Sequence, residues 1–230
     1  TGYFKGIEHG AAMNRFLLSL LLSLLALTTV ATENNNANVT FEITLTDSEG
    51  KMVNDAVFIF EPLFEIAVTT DSEPPTAIMN QIKKQFVPHV LVAKTGTSIR
   101  FPNADNIFHH VYSFSPTKQF ELKLYKEFTA EPLKFDKPGI VDIGCNIHDW
   151  MLGYIVVTDS PFFAKTENEG SISLSLPKGD YNVRFWHPLV KSDSLFETKT
   201  LSVNESSAVE WQLSTALPAD DEFDFGFGDY

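Results

Sequence analysis

The sequence has a single cysteine and few basic residues, and each shortage excludes a class of function. Cys145 is the only cysteine among 230 residues. The chain therefore cannot form an internal disulfide or supply the several thiolates of a tetrathiolate zinc or iron–sulfur site. Lysine and arginine total 17 against 30 aspartate and glutamate residues, a net charge of −13. Such an acidic chain would repel a phosphate backbone, and we expect no nucleic-acid partner.

Long apolar runs are also scarce, because only one occurs and it lies near the start of the sequence. It follows Met13 and Arg15, spans 16–27 and is succeeded by small residues up to Ala31. This order is typical of an export signal, and the run is short for a membrane span. We therefore predict an untranslated leader and a signal peptide over 1–31, with the start at Met13. The mature chain is then periplasmic or secreted, with no membrane span.

Helical periodicity is nearly absent from residue 38 onward, where short β-rich runs alternate with turns such as 47–50 and 177–180. The predicted strands are 39–45, 56–60, 90–93, 97–101, 111–114, 120–125, 140–144, 154–158, 172–176, 181–186, 198–203 and 208–213. Because no helical segments separate these strands, the sequence predicts an all-β protein built from antiparallel sandwiches.

Two polar stretches, at 71–75 and 159–161, divide the predicted strands into a middle block and flanking segments. We predict one domain over 76–158, a second domain formed by 39–75 together with 159–214, and an acidic, aromatic, solubilising tail over 215–230.

The flanking segments carry a pattern of their own. The sequence VTF at 39–41 is followed by DSEGKMVNDAV at 47–57, and LPKGDYNV occurs later, at 176–183. In this order the segments resemble the carboxypeptidase-regulatory or transthyretin-like β-sandwich. The resemblance implies a single Ig/transthyretin-like sandwich that the middle block interrupts.

The residues with the most specific chemistry lie at 144–154, with the sequence GCNIHDWMLGY. Cys145, His148 and Met151 place a thiolate, an imidazole and a thioether on one loop. Two histidines and a cysteine in a trigonal arrangement, with a weak axial methionine, form the blue-copper geometry. A second histidine must come from elsewhere, and a polar loop enters a strand at His109 and His110, where it could reach the same end of a sandwich.

Residues 85–158 resemble the cupredoxins of the plastocyanin and amicyanin type, especially exported bacterial proteins often labelled methylamine-utilisation proteins. The resemblance implies a cupredoxin-like Greek-key β-sandwich, inserted in or packed on the second sandwich, with one type 1-like copper ion. It implies His109 and His148 as nitrogen ligands, Cys145 as the thiolate and Met151 as the axial donor. Two residues separate His148 from Met151, fewer than plastocyanin-like loops generally have. A dinuclear copper centre would need a second cysteine, which this sequence does not contain.

Five more residues are candidates for hydrogen bonds or packing around the metal ligands. They are Asn103, Asp105, His110, Asn146 and Trp150, and the resemblance puts His110 where relatives have an asparagine. Trp150 and Phe108 could also form an apolar docking rim. His187, which precedes Pro188, is interpreted as a loop histidine rather than a second metal donor.

The sequence lacks the nucleophile elbow, the phosphate-binding glycine loop and the zinc-binding helix motif of common enzymes. We therefore predict an exported electron carrier rather than a catalyst. Its partner would be a redox protein such as a c-type cytochrome or an amine dehydrogenase, and the acidic composition favours a partner with a basic docking patch. Two alternatives stay open: a copper chaperone or sensor, and a copper-free β-sandwich that retains a buried cysteine and binds a glycan or a protein.

Overall fold

The structure is a computed structural model that describes residues 38–66, 75–126, 131–191 and 196–218. The predicted signal segment and most of the predicted tail lie outside the described residues. All described residues belong to one compact unit. None of the helical structure in these ranges is long and apolar enough to cross a membrane.

Seventeen β-strands and one 3₁₀ turn (Asn168–Gly170) make up the regular structure of these ranges, which contain no α-helix. The strands are β1 (Asn38–Thr46), β2 (Val57–Pro62), β3 (Thr76–Ile78), β4 (Asn80–Ile82), β5 (Gln85–Val87), β6 (Val90–Lys94), β7 (Thr97–Arg100), β8 (His109–Ser113), β9 (Phe120–Tyr125), β10 (Leu133–Phe135), β11 (Gly139–Cys145), β12 (Leu152–Thr158), β13 (Phe162–Lys165), β14 (Ser171–Pro177), β15 (Gly179–Trp186), β16 (Glu197–Val203) and β17 (Ser207–Gln212). The all-β prediction is confirmed.

The strands on either side of the middle block form two sheets around one apolar core. One sheet has the order β14-β1-β17, and the other has the order β13-β2-β15-β16. The alternation of β1 turns Phe41, Ile43 and Leu45 into this core, together with Phe60 of β2. β13 pairs with β2 so that Phe162 lies opposite Phe60. The long segment between these two strands therefore leaves and rejoins the sheet at neighbouring points.

The strands of the middle block form a β-sandwich with a second core. A five-stranded sheet has the order β6-β12-β11-β8-β9, and a three-stranded sheet has the order β10-β7-β3. Val141, Ile143 and Cys145 of β11 lie in one buried cluster with Ile99 and Phe135 of the smaller sheet. The division into two domains stays a prediction, since all described residues lie in one compact unit.

A third apolar cluster joins the two sandwiches back to back. Val57 and Ile59 of β2 cluster with Val90 of β6 and Val156 of β12, and all four side chains are fully buried. β2 is therefore buried on both faces, which explains why its sequence, VFIF, is a continuous apolar run instead of an alternating one. The five-stranded sheet that carries the candidate site is thus supported from behind.

Candidate metal centre

Strand pairing brings the upstream histidine next to the cysteine. β8 and β11 are antiparallel neighbours, with Val111 opposite Cys145. His109 is the first residue of β8 and is fully buried, because it shares the inward face of the strand with Val111. Cys145 is the last residue of β11 and is also buried. The loop that follows Cys145 returns His148 to the same end of the sheet.

Three donor atoms from these residues converge. The Cys145 Sγ atom lies 3.7 Å from His109 Nδ1 and 3.7 Å from His148 Nδ1, and the two Nδ1 atoms are 3.2 Å apart. Among the residues that the structure describes, this is the only group of three His, Cys, Asp or Glu side chains close enough to hold a metal ion. The structure thus brings together three of the four ligands that the sequence predicts.

The size of this triangle fits a metal ion. With sides of 3.7, 3.7 and 3.2 Å, its centre lies about 2.1 Å from each donor, and protein metal–nitrogen and metal–sulfur bonds are about 2.0–2.3 Å long. One sulfur and two imidazole nitrogens also form a donor set that suits copper. The residues therefore fit the group that the sequence predicts.

Met151, the predicted axial donor, closes the ligand loop. Its backbone N–H donates to the His148 carbonyl at 2.9 Å, and the Cys145 N–H donates to the Met151 carbonyl at 3.2 Å. The Met151 side chain is buried and belongs to the same apolar cluster as Cys145. Axial ligation by Met151 stays a prediction.

A carboxylate orients His109 from the outside of the triangle. His109 Nε2 lies 2.9 Å from Asp105 Oδ2, and the ring therefore donates its Nε2 proton to the carboxylate. In the neutral ring this bond places the proton on Nε2, so that Nδ1, the nitrogen that faces Cys145, carries the lone pair that can bind a metal. Asp105 thus occupies the supporting position that the sequence suggests.

The carboxylate of Asp105 is itself held by the tip of the β4-β5 hairpin. Its Oδ1 accepts the Lys83 N–H at 2.6 Å, and its Oδ2 accepts the Lys84 N–H at 2.8 Å. Both lysines have left-handed backbone angles, with φ of 52° and 59°. Burial raises the pKa of Asp105, but the hydrogen bonds from Lys84, His109 and Lys83 outweigh it and keep this pKa below its ordinary value. Asp105 is therefore ionised beside the ligand.

Buried polar groups fasten the loop between β7 and β8. Asn103 donates from Nδ2 to the carbonyls of Ile107 at 2.8 Å and Tyr125 at 3.1 Å, and its Oδ1 accepts the Asp105 N–H at 2.9 Å. Gln81 donates to the Tyr125 hydroxyl, which in turn donates to the Phe101 carbonyl at 2.8 Å. These bonds fix the position of Asp105 relative to His109.

The other three supporting candidates have different positions. The His110 ring points away from the triangle and pairs with Glu121 at 2.9 Å, but its carbonyl accepts the Asn146 N–H at 3.0 Å. Asn146 therefore supports the ligand loop through its backbone, while its side chain is exposed. The Trp150 ring lies 5.3 Å from the His148 ring.

Sequence reasoning missed the hairpin residues Lys83 and Lys84 and the buried pair of Gln81 and Tyr125. None of the four belongs to a ligand motif, and each reaches the site only through tertiary contacts. The one available signal was the polar run Lys83-Lys84-Gln85 between two apolar residues, Ile82 and Phe86, which is compatible with a hairpin turn.

Exposed apolar residues form an edge beside the ligand histidines, and His148 is the half-buried member of the triangle. Phe108 is 55% exposed and Ile147 is 46% exposed, and each directly precedes a ligand histidine. Burial, together with the nearby charge of Lys84, lowers the pKa of His148. At neutral pH its ring is therefore unprotonated and able to accept a metal.

His187 lies away from this edge. Its Nε2 donates to the Asn54 carbonyl at 3.1 Å, and its Nδ1 accepts the Leu189 N–H at 3.2 Å. Both ring nitrogens of this buried histidine are thus bonded to backbone groups, which agrees with its interpretation as a loop histidine.

No protein-family model and no curated protein matches this chain. Among solved structures, it is similar to a copper-containing nitrite reductase from Thermus scotoductus SA-01 (24% identity, TM-score 0.35), over 44% of this chain and 26% of that chain. It is also similar to an oxidised variant of amicyanin (24% identity, TM-score 0.33), over 36% of this chain and 82% of that chain. A purple cupredoxin from Nitrosopumilus maritimus is similar at 19% identity and a TM-score of 0.30, over 36% of this chain and 99% of that chain.

The matched part of this chain thus spans about a quarter of the nitrite reductase, 26% of its length. At TM-scores of 0.30 to 0.35 these likenesses carry no weight for the chemistry of the site. The case for a metal rests on the chain's own donor atoms.

Proposed function

We propose that this protein binds one copper ion through His109, Cys145 and His148, with Met151 as the axial donor, and transfers single electrons between redox proteins. The observation that carries this proposal is the metal-sized triangle of one sulfur and two Nδ1 atoms. Copper in such a site supplies a one-electron couple between its cuprous and cupric states.

The contribution of the protein is a fixed geometry. His109 and Cys145 stand on paired strands, and His148 stands on a loop closed by two backbone hydrogen bonds. Asp105 holds the His109 ring in one orientation. Because the donors need not move when the charge of the site changes, the reorganisation that accompanies electron transfer is small.

Electrons would enter and leave at the half-buried His148. The Trp150 ring lies beside it, and the exposed Phe108 and Ile147 each directly precede a ligand histidine, so that these side chains supply apolar surface that a partner can cover. The partner is a redox protein, such as a c-type cytochrome or an amine dehydrogenase, in the periplasm or outside the cell. Since all four donors come from the chain, we assign it no catalytic step.

The test is to load the purified protein with Cu(II) and record its visible absorption and electron paramagnetic resonance, beside the variant Cys145→Ser. We expect one copper ion per chain and an intense thiolate-to-copper band that the variant loses. Absence of stoichiometric copper in the unmodified protein would overturn the proposal and favour a copper-free binding module.

A second measurement separates a carrier of electrons from a carrier of copper. Cu(I)-loaded protein is mixed with a chelator of modest affinity, and the transfer of metal is followed over time. We expect the rigid, largely buried donor set to retain copper for hours. Complete loss on mixing would favour a chaperone or a sensor.

A further inference from the structure

The acidic charge of this protein is unevenly distributed along the chain. Residues 76–158, which carry every proposed ligand, contain nine lysines and arginines and seven aspartates and glutamates, a net charge of +2. The residues before and after this block together carry −15. The net charge of −13 thus describes the flanking segments and gives the wrong sign for the block that holds the site.

Two positive charges of this block stand at the edge of the candidate site. Lys83 and Lys84 form the tip of the β4-β5 hairpin, which Asp105 ties to His109. The Lys84 ammonium lies 6.0 Å from the centre of the Trp150 ring, whose opposite neighbour is His148 at 5.3 Å between ring centres. The lysine pair and the exposed apolar edge are therefore parts of one surface.

The carboxylates near this surface do not cancel the two lysines. Asp105 accepts backbone N–H groups and the His109 ring, and its side chain is only 14% exposed. Asp149 is the exposed carboxylate of the ligand loop, and the Glu121 carboxylate, 51% exposed, is paired with His110. Lys83 is exposed and Lys84 is half-buried, whereas the Asp105 carboxylate is 14% exposed and is turned to the hairpin amides and the His109 ring. A partner therefore meets the two ammonium groups more directly than it meets Asp105.

We propose that this surface, made of Lys83, Lys84, Phe108, Ile147 and Trp150, binds the acidic face of a redox protein. The proposal rests on the proposed function for its purpose, because the surface encloses the ring through which electrons would pass. The flanking segments repel an acidic partner and the lysine pair attracts it, so the long-range field orients the encounter. The partner's docking face is therefore expected to be negative, whereas the net charge of the whole chain suggests a positive one.

A metal-free experiment tests the surface alone. The ¹⁵N-labelled full chain is titrated at low ionic strength with a poly-glutamate peptide, and with a poly-lysine peptide in parallel. We expect poly-glutamate to shift the amides of Lys83 and Lys84 and the indole N–H of Trp150, and poly-lysine to shift residues of β1 and β14–β17 instead. Shifts from poly-glutamate that avoid the hairpin would overturn the proposal.

A copper experiment then tests the surface in electron transfer. The Cu(I) protein gives one electron to ferricyanide, which becomes ferrocyanide, or to tris(phenanthroline)cobalt(III), which becomes the cobalt(II) complex. We expect the rate with the anionic oxidant to fall as salt is added, although the protein is acidic overall. A rise in that rate with salt would contradict the proposal.

Matched variants complete the test. The double substitution Lys83→Gln and Lys84→Gln should slow electron transfer to ferricyanide by roughly tenfold at low salt. The control pair Lys134→Gln and Lys137→Gln makes the same change of charge in the segment that leads into β11, whose first residue lies about 20 Å from Cys145, and should change the rate less than twofold. Equal effects of the two double substitutions on the rate would contradict the proposal. If copper does not load, the proposed function fails while the peptide titration still decides the surface.

Discussion

His109 and His110 are adjacent in sequence and have matching partners, yet only one of them faces the donor triangle. His109 bonds to Asp105 and His110 bonds to Glu121, each at 2.9 Å. The pleat of β8 turns His109 into the core and His110 to the outer face. The two pairs therefore provide a supporting carboxylate and a natural control for it.

Asp105→Asn should weaken copper binding by about 10–100-fold, because the neutral amide no longer draws the His109 Nε2 proton and orients the ring less firmly. Copper affinity is measured by competition with a chelator for Cu(I). The strength of the hydrogen bond that orients the ring is measured by the solvent exchange of the His109 Nε2 proton in metal-free protein.

The control for this change is Glu121→Gln, which removes the same charge from the His110 pair on the outer face. We expect its copper affinity to stay within about threefold of the unmodified protein, since supporting carboxylates act through the ligand they touch. Equal losses in both variants would contradict the role of Asp105.

At the residue scale, the ligand triangle was predictable because each donor belongs to a short motif. Cys145 and His148 share one loop, and His109 stands where a polar loop becomes a strand. The choice between His109 and His110 came from the resemblance. Lys83, Lys84 and Tyr125 could not be found, because they contact the site through backbone amides or a distant strand and carry no motif.

At the element scale, the twelve predicted strands all occur, with ends within two residues of those predicted. The five strands that were missed, β3, β4, β5, β10 and β13, have three or four residues each. Such segments are too short to establish an alternating pattern, and pairing with a neighbour alone makes them strands. The β4-β5 hairpin that holds Asp105 was not predicted for this reason.

The turn after β1 is fastened by a carboxylate whose effect depends on pH. Asp47 accepts the N–H groups of Glu49 and Lys51 at 2.9 Å and of Leu217 at 3.1 Å, which ties the end of β1 to the segment after β17. Burial raises the pKa of Asp47, but the bonds from Lys51, Leu217 and Glu49 lower it below its ordinary value of 3.8.

Because the native pKa of Asp47 is depressed, its contribution to stability is fully present above pH 3.8 and is lost as the pH falls through the native pKa. Asp47→Asn should therefore lower the free energy of unfolding at pH 7, and its difference from the unmodified protein should shrink as the pH falls below 3.8. Urea unfolding at several pH values measures this difference. Glu49→Gln removes a charge from the same turn and should leave the stability at pH 7 nearly unchanged.

At the scale of the whole molecule, the third apolar cluster makes the two sandwiches depend on each other. Val57 and Ile59 of β2 are fully buried against β6 and β12. Residues of β2, a flanking strand, therefore support the sheet that carries Cys145, although they do not belong to the buried cluster that contains Cys145. We expect the described strands to unfold in one transition.

Ile43→Ala tests this coupling, because Ile43 is fully buried in the flanking core and belongs to neither other cluster. The variant should lose about 2–5 kcal/mol of stability. In copper-loaded protein, far-ultraviolet circular dichroism and the copper absorption band should disappear at the same, lower temperature. A copper band that persists after the dichroism has fallen would show that the flanking sheets unfold separately.

The pairing of Phe162 with Phe60 has a consequence for protein engineering. Directly opposed strand residues have Cα atoms about 4.5–5.5 Å apart, so a short turn could join residues 60 and 162 and remove everything between them. The shortened chain would keep most of both flanking sheets. The apolar side chains that pack against the middle block, namely Val57, Ile59, Phe163, Trp186 and Phe196, would need polar replacements. Conversely, the excised block has neighbouring ends, and it could be grafted as a cassette into a hairpin of an unrelated scaffold.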